Sequence, residues 1–165
     1  MILGISTTLF TQIHVAISLI GIATGFIVAF GLIAGNPLPK LTALFLTTTI
    51  LTSVTGFFYP FHGFTPGIVV GILSLVILLF TLIARYGKHL AGGWRRTYVI
   101  TAVIALYFNF FVLIVQSFMK VPSLHALAPT GSEPPFKIAQ AVTLVVFAVL
   151  TVLADKKFRP AATSA

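Results

Sequence analysis

The chain has 165 residues, of which 58% are hydrophobic and only 7% charged, with a mean hydropathy of +1.12. An ordinary soluble domain has about 25% charged residues, so these few cannot clothe a water-soluble surface. The absence of cysteine excludes disulfides, thiolate metal ligands and thiol nucleophiles. The net charge of +8 is spread between and after apolar segments rather than along one polar stripe. That placement sets nucleic-acid binding aside and points to loops meeting anionic lipid.

A membrane-spanning helix needs about 20 mostly apolar residues, and five stretches qualify. The first runs from about Leu9 to Ala34 and stops at Gly35-Asn36-Pro37-Leu38-Pro39, where two prolines and a glycine forbid continuation. Met1 to Thr11 carries no Lys or Arg. The apolar run also outlasts the roughly 7–15 residues of a signal-peptide core, so this stretch reads as a retained helix. The second span runs from about Leu41 to Tyr59, before Pro60, and the third from about Gly67 to Ala84, after the favoured helix entry Thr65-Pro66. The fourth runs from about Arg96 to Met119 and the fifth from about Pro135 to Ala154. The segment Lys120 to Pro134, with three prolines, reads as an ordered non-helical cap over the bundle.

Charge tests the count. Five spans place eight cations on one side (Lys40, Arg85, Lys88, Arg95, Arg96, Lys156, Lys157 and Arg159) and only Lys120 and Lys137 on the other. The positive-inside rule makes the first side cytoplasmic. The expected fold is therefore an all-α membrane bundle of five helices forming one domain, N-terminus outside and C-terminus cytoplasmic.

Lipid gives helices no hydrophobic reason to associate, so small and hydrogen-bonding residues mark their contacts. In the first span Thr7, Thr11, His14, Ser18, Gly21 and Gly25 recur at intervals of four or three and form one face. Gly31 lies off that seam. Gly63, Gly67 and Gly71 repeat every four residues, the last two as a close-approach face. The second span carries seven hydroxyls, of which Thr48, Thr52 and Thr55 share a face with Tyr59. Helix packing accounts for most of these residues.

Three of the four histidines and one of the two acids fall at the outer face, with His89 the exception in the basic loop Arg85 to Arg96. His14 is one to two turns inside the first helix, His62 is in a short outer turn, and His125 and Glu133 are in the long outer loop. Gln116 and Gln140 are near the outer ends of the fourth and fifth helices, and Asn109 shares a face with Gln116 seven residues on. An ionisable group inside a membrane is a functional candidate by default. His14, His62, Gln116 and Asn109 form a candidate ligand-binding set; His14, His62, His125 and Glu133 form a candidate metal set. No His-x-x-x-His spacing supports the metal. A b-type haem needs two axial ligands at matching depth, and only His14 is within a helix. A quinone needs an apolar slot with one or two hydrogen-bonding groups, which His14, Gln116 and the phenylalanines supply. Phosphate loops, nucleophile elbows and paired carboxylates are absent from the sequence.

Two stretches carry a family likeness: Thr52-Ser53-Val54-Thr55-Gly56-Phe57-Phe58-Tyr59-Pro60-Phe61 within Leu44 to Pro66, and Ala128-Pro129-Thr130-Gly131-Ser132-Glu133-Pro134-Pro135-Phe136. With Ala91 to Gln116, they resemble a group of small, uncharacterised bacterial multi-pass inner-membrane proteins. The resemblance implies a bacterial inner membrane and says nothing of catalysis. The expected function is a periplasm-facing pocket holding a metal, haem or quinone-like ligand in membrane redox processes. The rival is a scaffold subunit packing against partner helices or a second copy, and a small transporter is third. Membrane lipids are expected partners, and whether the chain is an enzyme stays open.

Overall fold

A computed structural model describes residues 1–60, 63 and 65–160. Its named elements are all helical: α1 (Thr7–Ile33), α2 (Pro39–Gly56), α3 (Pro66–Leu82), α4 (Trp94–Lys120), α5 (Pro122–Leu127) and α6 (Pro134–Lys157). His62 lies outside the described residues. Local chemistry sets the helix starts. Ser6 and Thr65 cap α1 and α3 by accepting from the Leu9 and Ile68 amides at 3.2 and 3.4 Å. Proline opens α2, α3, α5 and α6, where its missing N–H costs nothing. At its far end α3 widens into a π-turn, Ile83–Gly87.

Among the described residues four helices are long and apolar enough to cross a membrane: Thr7–Ile33, Pro66–Gly87, Trp94–Lys120 and Pro134–Lys157. These match four of the five expected spans to within a few residues. The fifth candidate, α2, is a helix of 18 residues but is not apolar enough to join them, because Lys40 and its hydroxyls dilute it. The expected non-helical cap is corrected: Pro122, preset for a first helical turn, starts the short helix α5 against α4.

α4 is the hub, touching α1, α2, α3 and α6, while α1 packs most extensively on α2 and also meets α6. Between them, α1, α2, α3 and α4 form a four-sided bundle with α6 outside the α1–α4 edge. One half is solid: Val28, Leu32, Phe45, Leu46, Leu78, Val99, Val103 and Leu106 are all at most 2% exposed. Gly25 permits this closure, since a Cβ there would stand 2.5 Å from Leu106 Cδ1 and 2.9 Å from Phe45 Cε2. Gly31, expected off the seam, is also buried, against Leu38 in the α1–α2 turn. That turn folds back because Leu38 adopts a left-handed φ of 38°. A Cβ at Gly71 would stand 3.1 Å from Phe57 Cζ, the close approach expected, whereas at Gly67 it would have only Thr65 nearby, and Gly67 lines open space. At the solid end Asp155 clamps α6 to α4, accepting from Arg95 and Arg96 at 3.1 Å each.

Candidate functional site

The other half of the bundle is hollow. The N-terminal half of α1, the C-terminal half of α2, the N-terminal half of α3 and the C-terminal half of α4 enclose a cavity of about 710 Å³. Its polar lining includes Thr11, His14, Ser18, Thr49, Thr52, Ser53, Tyr59, Asn109, Gln116 and Lys120. No carboxylate lines it among the described residues.

The hydroxyls of α2 spend their protons on their own helix. Thr48, Thr49, Thr52, Ser53 and Thr55 donate to the carbonyls of Leu44, Phe45, Thr48, Thr49 and Leu51 at 2.6–3.0 Å. Such back-bonding satisfies a hydroxyl without water or a partner helix. It leaves lone pairs, not protons, facing the cavity. The consequence reaches His14. Its Nδ1 lies 2.7 Å from Thr55 Oγ1, and the Thr55 proton is committed to Leu51, so Nδ1–H donates and Thr55 accepts. In the neutral ring Nε2 then keeps its lone pair. Tyr59 fixes the imidazole by an edge-to-face contact at 5.6 Å and donates its own hydroxyl to Thr11 at 3.1 Å.

At the cavity floor Ser18 Oγ donates to Asn109 Oδ1 at 3.0 Å. Asn109 is only 7% exposed, yet its Nδ2 has no hydrogen-bond partner among the described residues. Gly21 makes this niche. The point where its Cβ would stand lies 3.1 Å from Thr48 Oγ1, 3.2 Å from Asn109 Nδ2 and 3.3 Å from Thr49 Oγ1. Any side chain at 21 would press on all three. Native proteins rarely leave a buried N–H donor unmatched, and this amide nitrogen is enclosed beside Gly21, Thr48 and Thr49, where a cavity ligand meets it only once the niche opens.

The candidate ligand set comes together in part. His14, Asn109 and Gln116 all line the cavity, and the seven-residue spacing of the last two was the signal. Lys120 continues the same face four residues on, a position the sequence pattern gives to the outer loop. The described members of the metal set, His14, His125 and Glu133, do not assemble, and His62 lies outside the described residues. His125 is exposed on α5 and outside the cavity. Glu133 accepts from Thr130 N, Thr130 Oγ1 and Ser132 N at 3.1, 2.8 and 3.0 Å, so it orders its own loop instead of reaching inward. Desolvation, the largest single influence, acts to raise its carboxyl, but these hydrogen bonds together outweigh it and hold the pKa below the ordinary value. No group of three His, Asp or Glu side chains stands ready for a metal among the described residues. Nor do they fit a b-type haem, for His14 is the only imidazole lining the cavity among them.

Comparison with protein-family models, characterised proteins and solved structures yields no match to this chain.

Proposed function

We propose that the chain is a five-span protein of the bacterial inner membrane whose cavity binds a neutral, largely apolar molecule bearing carbonyl or hydroxyl groups, a quinone-type ligand, in membrane redox processes. The observation that carries the reading is Asn109, nine-tenths buried at the cavity floor with a donor to spare. Around it, Gln116 and Lys120 offer further N–H groups to a carbonyl oxygen, while His14 Nε2 and the back-bonded threonines offer lone pairs to a hydroxyl. Donors and acceptors thus suit both the oxidised and the reduced form of such a ligand. The apolar remainder of the wall, including Val15, Leu19, Ile68, Phe108 and Leu113, suits its body.

In this reading α2 is the fifth span. At 1.5 Å per residue its 18 residues extend about 27 Å, close to the roughly 30 Å hydrocarbon core, and back-bonding lets its hydroxyls live without water. The eight-to-two division of cations puts the N-terminus and the cavity on the periplasmic side and the C-terminus in the cytoplasm. The cysteine-free chain makes the count testable. Single cysteines at Lys40 and Lys120 should react with an impermeant maleimide from opposite sides. Labelling from the same side would reduce the count to four.

For the ligand, the purified protein should bind a short-chain benzoquinone. Asn109→Leu should weaken that binding by about tenfold, the worth of a hydrogen bond from a buried donor. Its folded state should survive, because the change also removes an unmatched polar group. Equal affinity in both proteins, or no binding by either, would defeat the proposal.

A further inference from the structure

The cavity has a thin wall on one side. On α1, Val15, Leu19, Ile22 and Phe26 follow one another by four, three and four and form a single face. Toward the solid end α6 covers that face. Phe147 packs on Phe26 of α1 and Phe110 of α4 at 5.7 and 5.8 Å, those two rings meet at 5.5 Å, and Ile22 is only 6% exposed. Farther out α6 stays with α4: Gln140 Nε2 donates to Phe111 O at 3.3 Å, and Phe136 packs on Phe118 at 5.4 Å. Val15 and Leu19 are left 42% and 47% exposed, and both line the cavity. Side chains that face a cavity on one side and the surroundings on the other make a wall one side chain thick.

Across this α1–α4 edge stand Leu113 and Ser117, and Ser117 donates to Leu113 O at 2.7 Å rather than to α1. The Ser18–Asn109 hydrogen bond closes the edge at its deep end. The opposite edge, α2–α3, differs: a Cβ at Gly71 would stand 3.1 Å from Phe57 Cζ, so that ring already fills the gap. Depth decides what can pass. With 27 residues α1 is about 40 Å long and overshoots a hydrocarbon core of roughly 30 Å by about 5 Å at each end. Val15 and Leu19 are about 12 and 18 Å from its outer end, counted from Thr7. The thin wall therefore faces acyl chains, not headgroups or water. A molecule arriving there is already dissolved in the bilayer, and a polar ring at its head would find His14 and Gln116 inside.

We propose that the cavity's ligand is a membrane-borne quinone with a long hydrocarbon tail, which enters from the lipid through the α1–α4 edge and leaves its tail there, over Val15 and Leu19. This rests on the quinone reading of the cavity and adds the tail and the route. Two probes test it on the full chain in neutral detergent: the short-chain benzoquinone, and a benzoquinone whose decyl tail ends in a photoreactive diazirine. On illumination the tail should label α1 and α4 around Val15, Leu19 and Leu113, read by peptide mass spectrometry, and excess short-chain benzoquinone should suppress the label. Val15→Trp and Leu19→Trp should each weaken binding of the tailed probe by about tenfold, the lower end of what forced overpacking costs. Their affinity for the short-chain probe should stay as in wild type, which also shows that they fold. Val145→Trp, at a 62% exposed position on α6, should change neither. Labelling at the α2–α3 edge, or equal binding of the tailed probe by wild type and both α1 variants, would overturn the route. Binding of the short-chain probe without the tailed one would overturn the tail alone, whereas binding of neither by wild type would defeat the cavity reading beneath it.

Discussion

Toward the C-terminal end of α1 the helices of the bundle close on one another; toward its N-terminal end the same helices stand apart. The dividing level is Gly21 to Gly25. Beyond Gly25 the facing side chains are branched and apolar, and Phe45 and Leu106 fill the groove that the missing side chain leaves. On the other side of Gly21 the facing residues include His14, Ser18, Thr49, Thr52, Ser53 and Asn109 among apolar ones. Short hydroxyl side chains that bond back to their own helix neither fill the gap nor pull the neighbour in. In a membrane, where helix association depends on packing and hydrogen bonds, that chemistry alone separates a core from a cavity. Van der Waals contact holds the first half together, and the second is left free to recognise something else.

The largest effect that tests this division is steric. Gly25→Leu should destabilise the bundle by about 3 kcal/mol, the upper part of the range for overpacking, because its Cβ alone already meets Leu106 at 2.5 Å. Gly67→Leu, at a glycine with open space before it, should change stability by under about 0.5 kcal/mol. Unfolding in mixed detergent micelles measures both. Comparable losses would mean that the hollow half is as closely packed as the solid one.

A smaller effect probes the cavity floor. Ser18→Ala removes the α1–α4 hydrogen bond to Asn109. It should cost about 0.6 kcal/mol, the average for an interhelical hydrogen bond inside a membrane protein, and should lower benzoquinone affinity by loosening the amide's orientation. Stability lost without any change in affinity would recast Asn109 as interhelical glue and leave the cavity without its principal donor.

How far the sequence discloses these features depends on whether they are local. The α1 seam is legible because intervals of four and three are a property of one helix, and Thr11, His14, Ser18, Gly21 and Gly25 do face the bundle. So is the Asn109–Gln116 face. The cavity is not, because depth along a helix follows from counting residues but lateral position around the bundle does not. His14 and His125 share an end of the molecule without meeting. The hydroxyls of α2 read as packing residues, and the backbone carbonyls that absorb their protons are invisible in a sequence.

The smallest effect asks whether the outer loop belongs to the hollow half at all. Phe118 and Phe136 pack edge to face at 5.4 Å and Ala128 is buried, so the loop is anchored on α4 and the start of α6, away from His14. Glu133 supplies its polar tie, at the N-terminus of α6 where a negative charge is favoured. Desolvation, the largest single influence, acts to raise its pKa, but the bonds from Thr130 and Ser132 prevail and lower it. A carboxyl depressed in the folded state contributes its stability above the unfolded-state pKa and loses it as pH falls through the folded one. Acidification below the usual carboxylate range should therefore release the amides of Thr130 and Ser132 to solvent exchange, with little change in global stability because the group is at the surface. Glu133→Gln should produce the same exchange at neutral pH. The side-chain amide of Asn109 and the affinity for benzoquinone should not respond to either. If they follow the Glu133 titration, the loop is a wall of the site, and the boundary between anchored loop and open cavity must be redrawn to include it.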